Sequence, residues 1–349
     1  MSITKKIKIC CEEAYVETIW CKQLLGSLIK ELKKRRLLYE QSDQIEGDDY
    51  VVLLGMNREW VKKSVCKCNE KGITPIVLSN QSKNSFAGQA HLVCPDIQKI
   101  SGEIKAALEA AGRNKAALYA SSRSADPDRD RTEIFSNLIQ KVNDVYPNNG
   151  SLEKCFRSFL PKASMYDAVI CTNGYAAVSL VKKLKKENAG LLEKMVILTF
   201  EEVLKHSKYN GWISFVDLNL ESYGAMAVQL LDMISQKNDI SEITVEMKCS
   251  LCEIDHKIQD VSEIFEEDAE LYEDPEIVHM AKIEQLLRDA DDLDHHIIAM
   301  LLDGATYGEV ADRSYMTEGN VKYRVKKYMS ICGCTTKKEL LELLQEYLQ

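Results

Sequence analysis

The sequence predicts an α/β protein, two doubly wound parallel-sheet lobes followed by a small all-α helix-turn-helix domain. Three observations lead there. From Lys6 to about Ile254, short apolar runs alternate with amphipathic stretches, the pattern of parallel strands joined by helices. From Asp291 to Tyr347 the apolar spacing is helical throughout. Between these regions the composition turns sharply acidic.

The strand-like runs are Ile7–Cys11, Tyr50–Leu54, Pro75–Leu78, Ala116–Ala120, Ala168–Cys171, Met195–Thr199 and Trp212–Val216, with a further apparent strand from Ile243 to Ile254. Helical spacing falls at Thr18–Lys34, Glu59–Lys71, Ile97–Ala111, Thr132–Val142, Ala176–Lys186 and Glu221–Ile234. A single sheet of that length would be unusually long, so two lobes (residues 1–254) are expected. A cleft between them, at the carboxyl ends of the strands, is the natural place for a small ligand.

The chain has 349 residues, 45% hydrophobic and 28% charged, ordinary values for a globular protein. Its first apolar run is broken by Glu12 and Glu13, too short for a secretory segment, and no later run has membrane-spanning length. A cytoplasmic protein with no membrane partner is expected. Its twelve cysteines are then read as reduced thiols. Cys66/Cys68, Cys249/Cys252 and Cys332/Cys334 are closely spaced, and Cys249-x-x-Cys252 has His256 nearby, but no second dyad stands at zinc-ligand spacing. No metal or cofactor is expected.

From Glu253 to Asp294, sixteen acidic residues stand against Lys257, Lys282 and Arg288. That net charge of −13 leaves +4 for the rest of a chain whose total is −9. The acidity is local, so it does not oppose nucleic-acid binding elsewhere. Residues 255–290 read as a solvated linker and a connecting helix, the latter opened by Asp274 as N-cap and Pro275 at N1.

Residues 291–349 are punctuated more clearly. Ile297, Ile298, Leu301 and Leu302 share a helical face that Asp303-Gly304 terminates. Thr306-Tyr307-Gly308-Glu309 is a capping box opening a short second helix. Thr317 can cap a third helix through about Met329, and two helices so tightly joined form a helix-turn-helix. On the third, Val321, Val325 and Tyr328 should face inward. Gly319, Asn320, Tyr323, Lys326 and Lys327 should face outward, flanked by Lys322 and Arg324. Those cations can neutralise phosphates, Asn320 and Tyr323 can reach base edges or backbone, and Gly319 removes a side chain where the helix would approach a duplex. Thr336-Lys337-Lys338-Glu339 is a second capping box, opening a fourth helix rich in leucine.

Leu301, Leu302, Gly304, Glu309-Val310-Ala311, Thr317-Glu318-Gly319-Asn320-Val321-Lys322 and Gly333 together resemble the LuxR-type helix-turn-helix. Asn320 stands where that family usually has Thr, and Cys332 and Cys334 replace aliphatic residues. The resemblance implies that the third helix enters the major groove of double-stranded DNA and that the fourth often pairs two copies.

The earlier region resembles the effector domain of LacI-type regulators, which share the fold of type I periplasmic binding proteins. The likeness rests on Asp49–Gly55 with Gly72–Leu78, Arg131-Thr132-Glu133-Ile134-Phe135, Tyr166–Ala177, Val196–Glu201 and Leu218–Val228. The small N-terminal DNA-reading domain of LacI regulators has no counterpart here, so the C-terminal unit is expected to take that task. The resemblance implies a cleft for sugars or nucleobase-like effectors, with Arg131, Asn173 and Glu201 at the matched positions. A guanidinium fork, an amide and a carboxylate suit a polyhydroxylated ligand. Gly174 and Glu201 replace two aspartates of the family pattern.

No phosphate-cradling glycine loop, nucleophile elbow or acid–base pair stands out, so no enzyme is expected. The expectation is a transcription regulator working as a homodimer, binding double-stranded DNA and sensing a small-molecule effector. Two alternatives are a regulator whose lobes hold no ligand and serve dimerisation or protein partners, and a cytoplasmic solute-binding protein.

Overall fold

The computed structural model describes residues 6–16, 18–42, 44–45, 50–86, 90–122, 125–136, 144–200, 203–204, 207–236, 240–252 and 274–348. Its first lobe begins with β1 (Ile7–Cys11), α1 (Glu13–Val16), α2 (Ile19–Lys34), β2 (Tyr39–Gln41) and β3 (Tyr50–Leu54). It continues through α3 (Arg58–Glu70), β4 (Thr74–Leu78), β5 (His91–Pro95) and α4 (Ile97–Ala110). The second lobe follows with β6 (Ala116–Ser122), α5 (Asp126–Ser136), β7 (Val145–Asn148), α6 (Leu152–Phe159), β8 (Ala168–Cys171) and α7 (Gly174–Glu187). Then come β9 (Val196–Phe200), β10 (Ile213–Asp217), α8 (Tyr223–Gln236), β11 (Thr244–Met247) and β12 (Ser250–Leu251).

The two sheets share one topology. Strands run β11-β5-β4-β3-β1-β2 in the first and β12-β10-β9-β8-β6-β7 in the second. All pairings are parallel except that of β10 with β12. Helices cover both faces, so central strands are buried on both sides, which is why Val51–Leu54 and Val196–Leu198 read as continuous apolar runs. The lobes exchange helices: α8 packs on α2, β4 and β5 of the first, and α4 on α5 and β12 of the second. Gly224 makes the α2–α8 approach possible, since a Cβ there would lie 2.1 Å from the Ser27 carbonyl oxygen. The fold is thus the expected pair of parallel-sheet lobes with a helical C-terminal region.

Several elements depart from expectation. The apparent strand at 243–254 is two short strands in different sheets, because the chain crosses between lobes at Lys248-Cys249. β2, β5, β7 and α6 were not marked by the apolar pattern. β5 carries His91, whose Nδ1 accepts a hydrogen bond from the Ile243 N–H at 3.0 Å, a partner 152 residues away. α5 starts six residues before the expected Thr132, since Pro127 is tolerated in a first turn; residues 137–143 lie outside the described ones, as do 253–273 with most of the acidic run.

Five helices complete the chain: α9 (Pro275–Asp289), α10 (Asp292–Leu302), α11 (Tyr307–Arg313), α12 (Glu318–Cys332) and α13 (Lys337–Leu348). α9 packs between α7 of the second lobe and α12. Among the described residues, no helix is long and apolar enough to cross a membrane, and no three His, Cys, Asp or Glu side chains cluster as metal ligands. Cys249 is buried, which pushes its thiol up to about 12.

Candidate functional site

Two places carry the chemistry. The first is the outer face of α12. Thr306 and Glu309 form the reciprocal capping box that opens α11, and the Thr317 hydroxyl accepts from the Asn320 N–H at 3.3 Å to open α12. At the start of α13 the box is shared: Thr336 accepts from the Glu339 N–H, while the Glu339 carboxylate takes the Thr335 N–H and hydroxyl. Val321, Val325 and Tyr328 are buried, and Gly319, Asn320, Lys322, Tyr323, Lys326 and Lys327 are exposed, with Tyr323 at 74%. Lys322 pairs with Glu318 at 2.5 Å across an exposed turn, a contact weak enough to be exchanged for a phosphate.

Arg324 stands apart from that face. Its Nη1 reaches Asp291 at 3.1 Å and also binds Asp294, a buried carboxylate that accepts from the Tyr328 hydroxyl too. Asp294 first and Asp291 second push the Arg324 pKa up. Burial, with Asp294, pushes the Tyr328 phenol up. This network locks α12 to the start of α10, so Arg324 sits as an interhelical strut. Sequence reading had no access to it, because the partners lie 30 and 33 residues upstream.

The unit is anchored to the second lobe. Asp274 caps α9 through the Glu276 N–H and also accepts from the Leu152 N–H at the start of α6. Lys182 of α7 meets Glu276 at 3.2 Å, Glu346 at 2.6 Å and the Tyr347 hydroxyl at 2.9 Å; Lys183 also pairs with Glu276. Tyr347 is packed edge-on against Tyr209, and the Tyr209 hydroxyl donates to the Glu346 carbonyl at 3.0 Å. Leu340, Leu344 and Tyr347 are buried and Leu341, Leu343 and Leu348 half-buried, so the apolar surface of α13 is largely spent within its own chain.

The second place lies where the lobes meet, at α5. Its carboxylates bridge to the first lobe: Asp126 accepts from the Arg58 N–H at 2.7 Å, and Asp130 from the Ser82 N–H at 2.8 Å and the Ser82 hydroxyl at 2.7 Å. Asp128 turns the other way, accepting from Thr172 Oγ1 at 3.1 Å and Asn173 Nδ2 at 3.0 Å. Asn173 also caps α7, its Oδ1 accepting from the Ala176 N–H. Alternating aspartates in a helix's first turns resemble a solvated ion-pair cluster in sequence; here all three are buried, and Asp126 and Asp130 are interlobar.

Arg131 is 2% exposed. Its Nη1 donates to the Thr172 carbonyl at 2.8 Å and its guanidinium lies 4.7 Å from the Phe200 ring centroid. Among the described residues, its Nε and Nη2 have no hydrogen-bond partner. Leaving N–H groups of a buried cation unsatisfied is costly, so an acceptor-bearing group is the natural complement. Glu201 lies outside the described residues. A cavity of about 290 Å³ lined by Arg113, Glu193, Met195 and Trp212 opens instead at the amino ends of β9 and β10, away from the end where doubly wound sheets hold ligands.

No family model matches the chain, and no curated protein matches it. Similar solved structures include a transcriptional regulator LacI from Bacillus cereus subsp. cytotoxis NVH 391-98, at 12% identity and a TM-score of 0.56, covering 74% of this chain and all of that one. The Lac repressor bound to ONPG matches at 13% identity and 0.53, covering 72% of this chain and 82% of that chain. GanP, a glucose-galactose binding protein from Geobacillus stearothermophilus, matches at 13% and 0.55, covering 72% and 98%. At such identities the likeness establishes the two-lobed fold, shared by regulators and solute-binding proteins alike.

Proposed function

We propose that this protein is a DNA-binding transcription regulator whose two lobes sense a small polar molecule and whose C-terminal unit, resembling the LuxR-type helix-turn-helix, binds double-stranded DNA. The observation that carries the reading is α12: one face is buried on α9 and its neighbours, and the other offers Asn320, Lys322, Tyr323, Lys326 and Lys327 to solvent behind a capped, glycine-bearing start. That is a suitable surface for phosphates and base edges. Arg324 serves this face by holding it in place.

A sugar-like or similarly polar effector is supported by Arg131, whose Nε and Nη2 lack a hydrogen-bond partner among the described residues and whose guanidinium lies beside a stacking ring, Phe200. Asn173 would act through Asp128 and the cap of α7 unless a ligand displaces these bonds; Glu201 would supply the acceptor role its matched position suggests. The protein works as a homodimer in the cytoplasm, pairing through the lobes, since α13 has little apolar surface left to offer. Domain roles follow: 1–254 sensing and dimerisation, 255–290 connection, 291–349 DNA binding.

A second reading, lobes without a ligand that serve only assembly, draws on the α5 carboxylates that already join the lobes. Thermal unfolding against a panel of sugars and nucleobases separates the two: an effector raises Tm by mass action, and a flat response across the panel favours assembly. Selection of duplexes from a genomic fragment pool tests the DNA-binding half, which predicts enrichment of paired half-sites.

A further inference from the structure

Three helices of the C-terminal unit end in the same turn. After α10, the Gly304 N–H donates to Leu301 O at 3.1 Å and the Ala305 N–H to Met300 O at 3.0 Å. After α12, Gly333 donates to Ser330 O at 3.3 Å and Cys334 to Met329 O at 2.8 Å. After α11, Tyr315 donates to Asp312 O at 3.5 Å and Met316 to Ala311 O at 3.0 Å. This pair of bonds needs a left-handed backbone at the residue that begins it. The φ values are +88° at Gly304, +70° at Gly333 and +53° at Tyr315.

Glycine adopts that conformation freely, whereas the Cβ of tyrosine crowds the following carbonyl oxygen. Gly72 and Gly112 close α3 and α4 in the same way. Arg36, the other side chain in such a turn among the described residues, ends the cationic run at the C-terminus of α2, where charge complements the helix dipole. Tyr315 has no comparable local reason. Its side chain is 98% exposed, so no packing offsets the strained turn. Strain held at an exposed residue beside a binding element points to use of the side chain.

We propose that Tyr315 contacts DNA, its phenol hydroxyl donating to a backbone phosphate at the rim of the major groove that α12 enters. The inference rests on the DNA-binding reading and extends it to a residue outside the recognition helix. A helix with its side chains is about 10–12 Å across and the major groove about 12 Å wide, so α12 would fill the groove. A residue directed outward two positions before the Thr317 cap then meets the groove wall, which is sugar and phosphate. Tyrosine hydroxyls are among the donors that make such contacts.

The test is binding of the full chain to a random-sequence DNA duplex, adequate because phosphate contacts carry no sequence information, over a range of salt concentrations. Tyr315→Phe and Tyr315→Gly are each expected to weaken binding about tenfold, roughly one hydrogen bond to a charged acceptor. The slope of log affinity against log salt should not change, because a neutral donor displaces no counterion. A Lys326→Ala/Lys327→Ala variant should instead flatten that slope by about 2. Tyr315→Gly should also keep or raise Tm, so that its lost affinity cannot come from unfolding. Tyrosine variants that bind as wild type while the lysine variant weakens would overturn the Tyr315 assignment alone. Loss in Tyr315→Gly without loss in Tyr315→Phe would overturn the hydroxyl contact, and a lowered Tm in Tyr315→Gly would make the residue structural. Failure of the wild type to bind, or of the lysine variant to weaken, would remove the DNA-binding reading itself.

Discussion

The Leu204 N–H donates to Glu284 Oε2 at 3.1 Å, joining the loop after β9 to the middle of α9. Glu284 is 3% exposed, and Leu204 holds a left-handed backbone at φ +48° to meet it. Four residues earlier, Phe200 lies against Arg131. The segment after β9 therefore ties the end of that strand to α9, the helix on which α12 packs, a physical route from the second lobe to the C-terminal helices.

Glu284→Ala is expected to destabilise the protein by about 2 kcal/mol, since the hydrogen bonds lost are to a buried charged group. It should also loosen α9, seen as faster amide exchange in residues 275–289 with little change in the first lobe. Equal exchange in the variant and wild type would show that this bond couples nothing.

Arg131→Met keeps much of the side-chain volume against Phe200 and removes the buried cation. The variant should fold and should bind DNA at its exposed lysines, but lose any effector-induced rise in Tm. Calorimetric scans with and without an active compound measure this; an undiminished shift would place the ligand elsewhere.

Arg324 and Lys327 should behave oppositely despite their nearness in sequence. Arg324→Ala breaks the contact to Asp291 and leaves Asp294 with fewer donors, costing about 1–2 kcal/mol in urea unfolding. Lys327→Ala should leave stability within about 0.5 kcal/mol and reduce the salt dependence of DNA binding by about one unit of slope. Arg324→Ala with wild-type stability would return Arg324 to the group of direct DNA contacts.

Acid should release the C-terminal unit. Burial opposes charge on Glu276, and Lys183 and Lys182 outweigh it, holding the carboxyl below its ordinary value of 4.5. A pKa lowered on folding adds stability that is fully present above the unfolded value and is lost as pH falls through the folded one. From about pH 5 to 3, wild type should lose more stability than Glu276→Gln. Parallel urea midpoints across that window would mean that the pair contributes nothing to docking.

Local grammar was the legible part of this chain. Gly304, the Thr306–Glu309 box, Thr317 and Asp274-Pro275 each act within four residues of themselves, and each appears where the residue types place it. Fully buried central strands were equally plain, because parallel sheets leave no polar alternation to obscure them. β5 and β7 were not, since His91, Cys94 and Pro147 become strand residues only through distant partners. In the candidate sites, the outward face of α12 follows from helical periodicity, while the strut at Arg324, the interlobar aspartates and the Glu284 tie depend on contacts 30 to 80 residues apart. Tyr315 shows its meaning only with its φ angle.

The most direct test of the central claim is the salt dependence of binding to a genomic fragment enriched by the wild type, compared with a Lys322→Ala/Lys326→Ala/Lys327→Ala variant. Wild-type affinity should fall steeply with salt, and the variant's slope should be flatter by about 3 at matched stability. Equal slopes and affinities would contradict it, leaving α12 as part of a helical assembly surface and the lobes as the working part of the protein.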